Sequence, residues 1–478
     1  MNKKILSNFL YQASYQLLLI IMPIVTIPIV SRALGPDGIG VYQYVFSIVG
    51  YFVLVAGLGL QNYGVREIAI VRDNKEKLSK KFWELFFLNT IISLIIIFLY
   101  IFFVSFFDNK YLFYIQGFVV LSCLFDISWF FGGLEEFKTI TIRNFVVRII
   151  TVILIVLFIN TKDDLVLYFI IMSSSTLLSQ ISLWIPLKKY VIWTPVSIKN
   201  VMKHLKPSAS FFLAKVAFQF YYNVSLTLLG GLSTMVNVGL FSNGYNLIAI
   251  SGSIINALNT VMIPRMSHLF SKNDDDNMIL VLEKIIHIQL YFSIAITFGI
   301  IAINGQMISW FYGPGFEQLN IIVPLLAIGL VFQILQTAVA AQYLIPRKEM
   351  KAYNGTVIIG AVINFILDII LIPLIGIYGA IVGYLVSYVL LCVLRTKVLI
   401  KSTTFKFDWK QLTLNIVAGI IMWGIVYLLT TDMDSNIVTT IIQAIIGVVV
   451  YFSITLITNS NPVFSSEFII NKLKKYSK

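Results

Sequence analysis

Lys215 lies in the apolar run FFLAKVAFQFYYN, about seven residues into a stretch long enough to cross a bilayer, hence roughly 10 Å deep at 1.5 Å per residue. A lone ammonium at the centre of a membrane helix costs on the order of 2.5 to 3.5 kcal/mol. Gln219, Tyr222 and Asn223 follow at i+4, i+7 and i+8, so one face of the helix is polar and is expected to border a wet cavity. The alternative is that the stem of Lys215 carries its charge back to the cytoplasmic headgroups.

Other apolar runs carry similar stripes. Ser242, Asn246, Ser253, Asn256 and Thr260 repeat at helical spacing, as do Asn354, Ala361, Asn364 and Asp368, and Gln333, Gln336 and Tyr343. Each reads either as a cavity lining or as the small and polar residues with which membrane helices pack. Asp126 sits in CLFDISWFF, and an acid inside a membrane faces protein or water and has a partner. Arg148, four residues past Asn144, reads as a second interior ion or as a side chain reaching the interface. Arg32, in VSRALGPDGIGVYQY, is an interfacial anchor or a functional cation.

None of this is the equipment of an enzyme. His204, His268 and His287 lack metal-ligand spacing, and no carboxylate pair, nucleophile elbow or phosphate loop is present. Cys123 and Cys392 both lie in apolar runs, which suggests neither a disulfide framework nor a metal site. No metal and no cofactor are expected.

The elements that must position these residues are membrane helices. Of 478 residues 58% are hydrophobic and 12% charged, and apolar runs longer than about 18 residues recur throughout. Fourteen spans are expected, the first six at 9–31, 39–60, 82–106, 112–133, 145–160 and 165–187. The next six are 208–230, 237–262, 285–304, 321–345, 353–372 and 377–395, and 413–430 and 437–457 follow. The first follows Asn2, Lys3 and Lys4 but is too long for a signal peptide, so it reads as a retained helix.

Charge orients the spans. Loops 61–81, 134–144, 188–207, 263–284, 346–352 and 396–412, with both tails, carry nearly all the basic residues and are therefore expected in the cytoplasm. Arg32, Lys110 and Lys162 are the exceptions. The formal charge of +13 is then a matter of topology and of attraction to anionic lipid, with no basic face for nucleic acid.

An internal repeat is visible. SRALGPDGIGVYQYVFSIV has its counterpart in LLGGLSTMVNVGLFSNGYNLI, and GLEEFKTITIRN recurs as YLIPRKEMKAYN, placing Lys138 on Lys348 and Asn144 on Asn354. Equivalent spans keep the same orientation. An all-α polytopic membrane protein follows, with two parallel six-helix lobes, 1–206 and 207–398, and the substrate path between them. Residues 399–478 add two helices and a cytoplasmic tail.

A helix with internal prolines ending in P-x-x-S-R-x-L-G-x-x-G-x-G-x-Y, Pro28 to Tyr42, resembles the start of the polysaccharide-export flippases, the Wzx-type members of the MOP superfamily. YYNVSLTLLGGL, VGLFSNGYNL and IPRMSHLF are similar to that family's second lobe. The resemblance implies a V-shaped pair of lobes around a central cavity, alternating access, and a lipid-linked oligosaccharide carried on polyprenyl diphosphate as substrate. It also implies a bacterial cytoplasmic membrane as location, and membrane lipids, a polysaccharide polymerase and assembly proteins as partners. The translocation residues expected on this reading are Lys215, Arg32, Asp126, Arg148, Gln219, Asn223, Asn246, Asn256 and Asn364. A multidrug or cation antiporter of the same superfamily is the nearer alternative, and a polymerase the more distant one. The antiporter would favour buried acids over a buried Lys, and the polymerase a larger external loop.

Overall fold

The computed structural model describes residues 3–107 and 110–464, without the side chains of residues 3–13, 15–20, 137, 139, 211 and 213–221. The described residues form helices and no strand, and they divide into two compact units, Met1–Gly230 and Gly231–Lys478.

The first unit opens with α1 (Lys3–Gly57), helical on both sides of a single break at Gly35, whose φ of 67° and ψ of 177° suit a residue without a β-carbon. Pro36 restarts the helix where its missing N–H costs nothing. The separation between the first two expected spans, 9–31 and 39–60, is thus made by one residue. Leu58 and Gly59, both at positive φ, separate α1 from α2 (Leu60–Val71). Asn74 caps α3 (Lys75–Val104) by accepting the N–H groups of Glu76 and Lys77. There follow α4 (Lys110–Leu124), α5 (Ser128–Gly133), α6 (Phe137–Phe158), α7 (Leu165–Ile181), the short α8 (Trp184–Leu187) and α9 (Ile198–Met202), and α10 (Leu205–Leu232).

Aromatic side chains fill this unit. Phe82, Trp129, Phe130 and Phe131 form one buried cluster, and Tyr42, Tyr100, Phe113 and Phe169 another. The fourth expected span is two helices, because the chain leaves helical form between Leu124 and Ser128. Trp129 then turns inward onto Gly64, where a β-carbon would stand 2.9 Å from the indole.

The second unit comprises α11 (Met235–Ser271), α12 (Asp275–Phe311), α13 (Leu319–Val339), a π turn (Ala340–Leu344), α14 (Met350–Ile375), α15 (Ile377–Ser402), α16 (Trp409–Thr430) and α17 (Ile437–Ile457). α13 is packed against α11, α12 and α15, and α15 also against α14. The last two helices lie on α12, where Tyr291, Met422, Val426 and Tyr451 make a core and the Tyr451 hydroxyl donates to the Tyr291 carbonyl at 3.1 Å.

Among the described residues twelve stretches are long and apolar enough to cross a membrane. The first, Ile21–Val71, contains the end of the first expected span, which α1 covers whole, and all of the second, and α10, 28 residues long, covers the seventh. Each of the fourteen expected spans therefore has its helix. Phe98, Phe106, Leu374 and Leu428 are all more than 70% exposed, an outer surface made for lipid rather than water.

Candidate functional site

In the first unit, polar side chains from four helices come together, buried or half-buried on α1, α4 and α7 and exposed at Arg148 of α6. Tyr42 of α1 and Tyr168 of α7 lie edge to face with ring centres 4.8 Å apart. Arg148 of α6 is within electrostatic reach of both phenols. Gln116 of α4 is fully buried with its amide turned toward Tyr42, yet neither Oε1 nor Nε2 completes a hydrogen bond of ordinary geometry. A buried unsatisfied amide costs about 1 to 3 kcal/mol, and that cost is recovered by any polar solute that reaches it. Thr151 and Ser175, 2.7 Å apart, tie α6 to α7 beside this group.

α10 supplies Asn223, which is buried against α1. A β-carbon at Gly50 would stand 2.6 Å from its Nδ2, so Gly50 makes the approach possible. One turn further on, Thr227 donates to the Asn223 carbonyl at 2.8 Å and lies 2.9 Å from the Ser47 hydroxyl and 3.1 Å from that of Tyr51. The side chains of Lys215 and Gln219 lie outside the described residues. Arg32 is exposed, three residues before the break at Gly35.

Asp126 occupies the gap between α4 and α5. Its Oδ1 accepts the Ser128 N–H at 2.9 Å and the Ser128 hydroxyl at 2.6 Å, and its carbonyl accepts the Trp129 indole N–H at 3.0 Å. A carboxylate that replaces the lost helical bonds is what a broken membrane helix requires.

In the second unit an amide network is buried. Asn259 Oδ1 accepts from Gln289 Nε2 at 3.0 Å and Gln342 Nε2 at 2.7 Å, while Asn259 Nδ2 donates to Asn256 Oδ1 at 3.1 Å. Gln342 stands on the π turn, and its Oε1 has no hydrogen-bond partner. Single π turns inside helices are frequent at functional sites. Asn246 lies half-buried on the same helix as Asn256, ten residues and about 15 Å earlier.

Two buried ions complete the unit. Arg395 of α15, 1% exposed, donates through Nε to Thr356 at 3.1 Å, through an NH group to the Gln336 carbonyl at 3.2 Å and amide oxygen, and lies over the Tyr353 ring. Asp368 of α14 is completely buried, and a β-carbon at Gly383 would stand 2.2 Å from its Oδ1 and 3.1 Å from the amide of Asn364. Asn364 and Asp368, one turn apart, therefore share one contact on α15. A buried carboxylate beside an amide can hold a proton or a small cation. Among the described residues no cluster of three or more His, Cys, Asp or Glu is placed to hold a metal ion.

The structure thus joins Asn256 to a network, sets Asn364 beside Asp368, Arg148 beside two tyrosines and Asn223 against Gly50. Four contributors escape the sequence reading: Gln116, Gln289, Gln342 and Arg395. Leu391, Arg395 and Leu399 fall at i, i+4 and i+8, a buried stripe that carries the signal, but Arg395 reads as one more basic residue near a cytoplasmic end. Gln289 heads a polar stripe with Ser293 and Thr297 at i+4 and i+8, a signal that was present, while Gln342 stands in its run without one.

Residues 5–270 match the family described as polysaccharide biosynthesis protein. A protein named as an O-antigen transporter, from Escherichia coli (strain K12), is 24% identical over 371 residues, 75% of this chain and 88% of that protein. One named as a low-salt glycan biosynthesis flippase, from Haloferax volcanii, is 25% identical over 262 residues, 55% of each. The structure of the lipid II flippase MurJ in its inward closed conformation superposes with a TM-score of 0.77 at 18% identity, covering 96% of this chain and all of that one. An inward-facing multidrug resistance MATE transporter of the MOP superfamily gives 0.59 at 15% identity, covering 86% and 95%. These two likenesses fix the fold.

Proposed function

This chain belongs to the polysaccharide biosynthesis protein family, and we propose that it flips polyprenyl-diphosphate-linked oligosaccharide repeat units from the inner to the outer leaflet of the cytoplasmic membrane for surface polysaccharide assembly. The observation that carries this reading is the family match, together with relatives named as an O-antigen transporter and a glycan flippase.

The physical task is to move sugars and a diphosphate across oil while the polyprenyl tail stays in lipid. Amides and hydroxyls such as those of Gln116, Asn223, Asn246, Asn256 and Asn364 replace the hydration of sugar hydroxyls. Cations offset the diphosphate, and we assign that part to Lys215, Arg148 and Arg32. Asp126 keeps the broken fourth span in register. No bond is made or broken, so the protein is a transporter and not an enzyme. Turnover proceeds by alternating access, with the repeats 1–206 and 207–398 as the moving halves. Both termini are cytoplasmic, because the basic loops stay inside.

The test is a cell lacking the protein. Lipid-linked oligosaccharide accumulates on the cytoplasmic leaflet and surface polysaccharide is lost, and the wild-type gene restores both. Restored resistance to cationic drugs without any change in lipid-linked oligosaccharide would instead make it an antiporter.

A further inference from the structure

In the second unit, α12, α13, α15 and α16 surround a cavity of about 980 Å³. Ile294, Phe298, Phe332, Leu335, Ile400 and Ile416 supply its wall, and the few polar groups on it are threonine hydroxyls and, at one end, ammonium groups. That end, where α15 finishes and α16 begins, carries Lys397 and Lys401, both exposed, and Trp409, 70% exposed. Along α12 the lining runs from Leu290 to Phe298 and along α15 from Cys392 to Lys401. At 1.5 Å per residue these are depths of about 12 to 14 Å, close to the ~15 Å of one leaflet's hydrocarbon.

An apolar trough one leaflet deep, with two cations and a tryptophan at the headgroup level, has the chemistry of a lipid that stays in its leaflet. We propose that it holds one resident anionic glycerophospholipid, its acyl chain along α12 and α15 and its phosphate at Lys397 and Lys401. The occupant is distinct from the transported carrier, since a polyprenyl chain is longer than one leaflet and overruns a trough of this depth. The assignment stands on the cavity and its charges and does not depend on the transported substrate.

The test is the purified full chain in nanodiscs of phosphatidylcholine with graded phosphatidylglycerol, read by native mass spectrometry and by the thermal unfolding midpoint. Two lysines at the headgroup level give a preference of roughly thirtyfold for the anionic lipid. Wild-type protein retains one phosphatidylglycerol and unfolds at a higher temperature with it. Lys397→Gln with Lys401→Gln, on exposed positions, loses the preference while keeping its midpoint in pure phosphatidylcholine, and Val393→Trp, which fills the trough, loses the bound lipid. Equal retention of the two lipids, or unchanged preference in the lysine variant, overturns the proposal. So does displacement of the retained lipid by undecaprenyl diphosphate at equal mole fraction, or a dimer that excludes lipid from the trough.

Discussion

His204 stands 3.0 Å from Glu84 through Nε2, and its Nδ1 lies 2.6 Å from the Tyr63 hydroxyl. A neutral ring satisfies both contacts in one tautomer, with the hydrogen on Nε2 for the carboxylate and Nδ1 accepting from the phenol. Lys203 at 3.4 Å and Lys81 at 3.8 Å also face Glu84, and Lys81 reaches Glu67 at 3.1 Å. Together with the Ser208 hydroxyl donating to the Leu58 carbonyl at 2.7 Å, these contacts fasten the segment before α10 to α2 and α3.

That arrangement makes stability depend on pH. Burial, helped by Lys81 and Lys203, holds His204 below the usual imidazole value of 6.5 against the opposing pull of Glu84. Below about pH 6.5 the unfolded chain binds a proton that the folded chain refuses, so stability is constant above that value and falls as the pH drops toward the folded value. The unfolding midpoint in detergent is expected to decline as the pH is lowered through about 6.5, with a steeper slope in wild type than in His204→Gln. Equal slopes would assign the titration to another group.

Asn259 is the hub of the amide network. Asn259→Ala leaves the Gln289 and Gln342 donors without their acceptor, at a cost of about 1 to 3 kcal/mol for each orphaned group. Asn259→Leu combined with Gln342→Leu, which removes donor and acceptor together, is expected to cost less than the sum of the single changes. Unfolding midpoints of the two single variants and the double variant measure the coupling, and strict additivity would dissolve the network into independent contacts.

Lys215 tests the cationic part of the transport reading. Lys215→Ala is expected to abolish polysaccharide export at normal protein levels, Lys215→Arg to keep part of it, and Lys215→Glu to be worse than Ala. Arg32→Gln is expected to slow export without lowering the amount of protein in the membrane. Normal export in all of the Lys215 variants places that side chain at the headgroups instead.

Asp368 and Gly383 separate chemistry from packing. Asp368→Asn keeps the shape and removes the titratable charge, so export is lost while the protein level holds. Gly383→Ala drives a β-carbon into the Asp368 carboxylate and costs about 1 to 3 kcal/mol, lowering the protein level first. Full export in Asp368→Asn would leave that carboxylate a purely structural group.

Topology has its own measurement. Cysteines placed at Asp163 and Asp434 are expected to react with an impermeant external thiol reagent, and those at Lys199 and Asp275 to remain unlabelled in intact cells. Labelling at Lys199 would reverse the orientation of the first six spans.

The helices were legible because the membrane imposes one rule everywhere, some 20 apolar residues between charged ends. The place where that rule fails to describe the chain is instructive. Phe125 to Ile127 break the fourth span with no glycine or proline to announce it, since the break is stabilised by the Asp126 carboxylate and by Trp129 turning onto a glycine far away in sequence. Glu84 lies two residues inside the expected third span, 82–106, and nothing in its own run marks it; its role appears only when His204 and Lys203 arrive from about 120 residues away. Polar residues that recur at helical spacing could be picked out by eye. Those that act alone, such as Gln116 and Gln342, acquire meaning only from neighbours on other helices.

The π turn at Ala340–Leu344 holds one residue more than an α-helical turn of the same rise. Upstream of it α13 is held in phase by Gln336 against Arg395, and downstream Arg347 is held by Asp275 at 2.9 Å and by the rings of Phe270 and Tyr343. One extra residue in the turn lets both attachments be kept at once. Deleting Ala341 would restore an ordinary α-helical turn and swing everything after it by about 100°, since each helical residue advances the chain by that angle. Gln336 would leave Arg395, or Gln342 and Arg347 would leave Asn259 and Asp275, but both sets could not stay. A length change of one residue is therefore more damaging here than most substitutions, and sequences of this family that lack the extra residue are expected to have exchanged one of the two attachments.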